Sequence, residues 1–86
     1  MRALIVGGDH IEPTRRALEA RGYDDIVHWT GRKTSDLTRP FPSRIDHMVI
    51  VLDYINHNLA KRMKKLAREH AIQIDYVRRK GVLTSH

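Results

Sequence analysis

Two short apolar runs, Ala3-Leu4-Ile5-Val6 and Met48-Val49-Ile50-Val51-Leu52, constrain this chain more than any other feature. A strand that faces water on one side alternates apolar and polar residues. A run without alternation has to be buried on both faces, as the interior strands of a parallel sheet are. The first run stops at Gly7-Gly8 and the second, which begins with His47, stops at Asp53.

Each run gives way to a segment of helical period. From Ile11 to Arg21, Pro13 suits a first helical turn, Ala17 and Leu18 supply an apolar stripe, and Gly22 stands where a C-cap belongs. From Asn56 to Ala71, Leu59, Met63, Leu66, Ala67 and His70 recur at helical spacing, while Lys61, Arg62, Lys64, Lys65 and Arg68 fill the other face. Asp25–Trp29 and Ile72–Val77 complete the strands; the second of these alternates apolar with polar. The stretch Thr30–Asp46, with Gly31, Pro40 and Pro42, reads as a long connection with at most one helical turn near Ser35–Thr38.

Strand–helix–strand, a long crossover, then strand–helix–strand is the pattern of βαβ units with right-handed crossovers. The expected fold is α/β: a four-stranded parallel sheet in the order 2-1-3-4, a truncated flavodoxin- or Rossmann-like three-layer sandwich. Eighty-six residues allow one domain, with a core over residues 2–77 and a basic tail over 78–86. One helix covers only part of its face of four strands, so a homodimer or a folded-back tail is expected to cover the rest.

Composition excludes several chemistries. Cysteine is absent, which removes disulfides, thiolate catalysis and cysteine-ligated metal centres. No apolar run reaches the length of a membrane span and no leader pattern precedes the first strand, so a cytoplasmic location is expected. There is no Gly-x-Ser-x-Gly elbow, and Val6-Gly7-Gly8-Asp9-His10 is neither a dinucleotide fingerprint nor a Walker loop, so NAD and ATP are not indicated.

Open parallel sheets bind ligands at the carboxyl ends of their strands, where the strand order reverses. This topology delivers Gly7, Gly8, Asp9 and His10 to that edge from the first strand, and His28, Gly31, Arg32 and Lys33 from the second. The third sends Asp53, Asn56 and His57. Two site chemistries fit. Imidazoles and a carboxylate (His10, His28, Asp53, His57) are the ligands that iron, zinc or manganese accept. Backbone amides freed by Gly7-Gly8, with Asp9, Gly31, Arg32, Lys33 and Asn56 around them, suit a small anion. Asn56 also fits a helix N-cap.

The segments Val6–His10, His28-Trp29-Thr30-Gly31-Arg32-Lys33 and Asp53-Tyr54-Ile55-Asn56-His57-Asn58, in this order and separation, resemble the small bacterial family catalogued as domain of unknown function 2325. The resemblance runs from Arg2 to Arg79 and implies a compact bacterial cytoplasmic α/β domain. It implies a shared site at Gly8, Asp9, His10, His28, Gly31, Arg32, Lys33, Asp53, Asn56 and His57. The family's basic ending is kept in Arg78-Arg79-Lys80-Gly81, and the sequence departs from it afterwards.

The leading expectation is therefore a metal- or anion-binding domain whose site is the carboxyl edge of the sheet. A second is a basic adaptor for nucleic acid or an acidic protein, since sixteen Lys and Arg against ten Asp and Glu leave a net charge of +6. A third is a metal-dependent enzyme at the same edge, acting on phosphoesters or through oxygen chemistry.

Overall fold

The computed structural model describes residues 1–30, 40–52 and 55–77, and the backbone of 83–85. The elements run β1 (Arg2–Val6), α1 (Glu12–Ala20), β2 (Asp25–Trp29), β3 (His47–Val51), α2 (His57–Glu69), β4 (Gln73–Val77) and β5 (Leu83–Ser85). The sheet order is β2-β1-β3-β4-β5. The first four strands are parallel, in the order expected. The tail, which shows no period in the sequence, adds β5 antiparallel to the β4 edge, with Val77 opposite Leu83 and Asp75 opposite Ser85. The proposed turn near Ser35–Thr38 lies outside the described residues.

The two faces of the sheet are unequal. On the α2 face, Leu4, Val6, Trp29, Met48 and Ile50 pack with Leu59, Met63 and Ala67 in the larger core. On the α1 face, the smaller Ala3, Ile5, Val49, Val51 and Val77 meet Ile11 and Leu18. Within α1 itself only Leu18 is buried, and Ala17, expected on the apolar stripe, is exposed. A nine-residue helix lying on small strand residues presents a narrow strip to the sheet, and Ala17 falls beside it.

The α1 face also carries charge. The β3–β4 register sets Val49 opposite Asp75, so His47 and Asp75 are diagonal neighbours on one face. His47 Nε2 lies 2.8 Å from Asp75 Oδ2, with both side chains 7% exposed. Arg21, just past α1, approaches the same oxygen at 3.5 Å, and the Tyr23 ring centroid lies 5.6 Å from that of His47. The part of this face that one helix leaves uncovered is thus partly occupied by a satisfied polar group instead of bare apolar surface.

Both helices end in the same way. At α1, Tyr23 N–H donates to Leu18 O (3.1 Å) and Gly22 N–H to Glu19 O (3.0 Å), with Gly22 at φ +97°. This is a Schellman closure with glycine at its left-handed position. At α2, Ile72 N–H donates to Ala67 O (2.8 Å) and Ala71 N–H to Arg68 O (3.4 Å), but the left-handed residue is Ala71, at φ +55°. A Cβ there is unfavourable. Ala71→Gly is expected to stabilise the protein by about 0.5–1 kcal/mol, a rise of roughly 2–8 °C in Tm for a domain of this size. A lower Tm in a thermal melt would contradict the assigned geometry. No helix among the described residues is long and apolar enough to cross a membrane.

Candidate functional site

β1 passes into α1 through Gly7 and Gly8, which take φ +94° and +79°. Gly7 is held to the sheet by its N–H, which donates to Trp29 O at 2.7 Å. A Cβ on Gly7 would stand 2.6 Å from Val51 O, a backbone atom at the end of β3, and one on Gly8 would stand 3.2 Å from Val51 Cγ1. Glycine is required here both by dihedral angle and by the close approach of the loop to β3.

His28 determines how the loop is turned. It lies opposite Ile5 in the β1–β2 register, half-buried. Its Nε2 is 3.1 Å from Gly7 O and 3.0 Å from Gly8 O. Carbonyl oxygens only accept, so Nε2 carries the hydrogen and donates to both. Among the described residues every peptide bond is trans. In a trans peptide the N–H points opposite to the C=O, so holding these two carbonyls towards His28 turns the N–H groups of Gly8 and Asp9 away from β2. Successive amides aimed together make an anion-binding concavity.

α1 begins directly after this loop. Its N-cap, Ile11, gives no side-chain hydrogen bond, and Pro13 in its first turn has no N–H. The first bond back is Arg15 N–H to Ile11 O at 2.7 Å. The loop thus delivers its amides at the positive end of the helix dipole, where Glu12 is the acid of the first turn. Asp9 and His10 are exposed beside it.

The second helix start at this edge is built differently. Asn56 Oδ1 accepts from Asn58 N–H (2.9 Å) and Leu59 N–H (3.2 Å), so Asn56 caps α2. His57 is the exposed first residue of that helix. Of the expected site residues, the structure places Gly7, Gly8, Asp9, His10, His28, Asn56 and His57 after or near the ends of β1, β2 and β3. Gly31, Arg32, Lys33 and Asp53 lie outside the described residues.

His28 Nε2 is committed to the loop, so Nδ1 is the nitrogen of that ring left to meet a ligand. Among the described residues no three His, Asp or Glu side chains are gathered closely enough to hold a metal ion. Among the described residues the displaced titrations lie at the opposite end of the sheet. There the hydrogen bond from the Met1 ammonium to Asp24 (2.8 Å) lowers the carboxyl and raises the amine, and both groups are exposed.

Neither a curated protein nor a solved structure matches this chain significantly. The glycine loop, the His28 contact and the capped start of α2 all fall within residues 2–84, the span matched by the model of one bacterial family. The chain belongs to that family, described as an uncharacterized protein conserved in bacteria (DUF2325).

Proposed function

We propose that this protein binds a small anionic ligand, a phosphate or a carboxylate, at the carboxyl edge of its sheet, on the amides presented by the Gly7–Gly8 loop and the start of α1. One observation carries the reading: the double contact of His28 Nε2 with Gly7 O and Gly8 O, which turns the next two amides together away from β2. The loop's two positive φ angles and its place at the start of α1 support it. Arg32 and Lys33, at the start of the connection that leaves β2, are the cations assigned to the ligand's charge, with His57 at the start of α2. A second copy of the chain is the partner assigned to the α1 face, where α1 is the one helix among the described residues.

The test is thermal denaturation with inorganic phosphate, pyrophosphate and small carboxylates, alongside zinc, manganese and iron(II). A ligand present at 100 times its Kd stabilises by about 2.7 kcal/mol, enough to move Tm by well over 5 °C. At least one anion is expected to do so, and His28→Leu, which removes the donor, is expected to weaken its binding about tenfold or more, or roughly 1.4 kcal/mol. If no anion raises Tm while a chelator-reversible transition metal does, the reading is overturned in favour of a metal held by His10, His28, Asp53 and His57.

A further inference from the structure

The outer face of α2 carries a second feature, independent of the loop. Lys61, Lys64, Lys65 and Arg68 are all exposed. Their spacing of three and four residues places them in one stripe, within an arc of about 100° and along about 10 Å of helix. Glu69 is the only acid in α2. Among the described residues no ion pair engages these four cations. Lys64 Nζ lies 5.4 Å from the centroid of the Tyr76 ring, which steadies one of them above β4.

Like charges at these spacings repel, so the arrangement does not serve the helix that carries it. It suits an anionic partner, and its surroundings narrow the choice. A protein interface needs an apolar or aromatic centre, yet among the described residues the exposed large apolar ones are Met1 and Leu52, both outside α2. A membrane-surface helix needs its apolar side outward, whereas Leu59, Ala60, Met63 and Ala67 are buried under α2. Single-stranded nucleic acid is held by exposed stacking aromatics, and Tyr76 is half-buried beneath Lys64. What remains is a straight convex row of positive charge with, among the described residues, no exposed aromatic beside it to stack on bases, which matches the phosphate backbone of a duplex.

We infer that the α2 stripe of Lys61, Lys64, Lys65 and Arg68 docks on double-stranded nucleic acid through its phosphates, without sequence preference. Each phosphate neutralised contributes about 0.9 to the slope of log affinity against log salt, so four cations give a slope near −3.6 and a loss of about 100-fold between 50 and 200 mM salt. The experiment is fluorescence anisotropy of the whole protein with a labelled DNA duplex of about 20 base pairs and arbitrary sequence, over that salt range. Lys61→Gln/Lys65→Gln is expected to reduce the slope by about two, with a Tm no lower than that of the parent because repulsion is relieved. Arg16→Gln, on the other layer, should leave the slope unchanged. The inference is overturned if the double variant keeps the parent slope, if Arg16→Gln lowers it equally, or if the matching single strand, polyglutamate or phosphatidylserine vesicles bind more tightly than the duplex.

Discussion

Replacing Gly7 with alanine is expected to cost roughly 3 kcal/mol of stability or more, lowering Tm by roughly 12–24 °C. Two effects combine. A residue with a Cβ pays about 1–2 kcal/mol in the left-handed region, and Gly7 stands at φ +94°. The added carbon would also lie 2.6 Å from Val51 O. No rotamer change relieves that contact, because the obstructing atom is backbone in a strand whose five residues are all buried. Overpacking of this kind costs about 1–3 kcal/mol. Gly22→Ala separates the two effects, since Gly22 has a similar φ of +97° but nothing within 4 Å of its Cβ position. It should lose only the conformational part, about 1–2 kcal/mol. Equal losses in urea unfolding of the two variants would mean that the loop does not approach β3 as described.

Asp75→Ala is expected to cost about 2 kcal/mol. It removes the acceptor from a His47 side chain that is only 7% exposed, and leaving a buried donor unsatisfied costs about 1–3 kcal/mol. Arg21, 51% exposed at its side chain, adds little, because it regains water when its partner is lost. His47→Leu/Asp75→Leu removes both members and restores apolar volume. It should be much less destabilising than the sum of the single leucine variants, with a coupling of about 1–3 kcal/mol in a double-mutant cycle. Additive single losses, within about 0.5 kcal/mol, would show that the two side chains do not depend on each other.

The strand order was legible because continuous apolar runs and short βαβ connections leave few arrangements open. α2 was legible for the same kind of reason: Leu59, Met63 and Ala67 make a stripe, and Asn56 stands where a cap belongs. β5 was not. Leu83-Thr84-Ser85 is too short for a period, and its pairing is decided by the open edge of β4. Nor was the His47–Asp75 contact, since polar residues alternating along β4 read as a solvated face. What brings Asp75 to His47 is the β3–β4 register, a relation between residues 28 apart.

The site divides similarly. Topology alone delivers Gly7, Gly8, His10, His28 and His57 to one edge. The sequence suggests imidazoles as ligands, yet His28 spends its Nε2 on the carbonyls of the glycine loop. A sequence shows that a histidine lies near a loop in the fold. It does not show which way the peptide planes of that loop face, and here that orientation decides what the loop offers a ligand.

The most direct test of the anion site is a titration of the isotopically labelled protein with inorganic phosphate, monitored by amide nuclear magnetic resonance. The account predicts that the Gly8 and Asp9 amide signals move first and furthest, and that His28→Leu shifts their response to about tenfold higher phosphate or beyond while the sheet signals persist. Saturating phosphate shifts that appear only along Lys61–Arg68, with Gly8 and Asp9 unmoved in a folded protein, would contradict it.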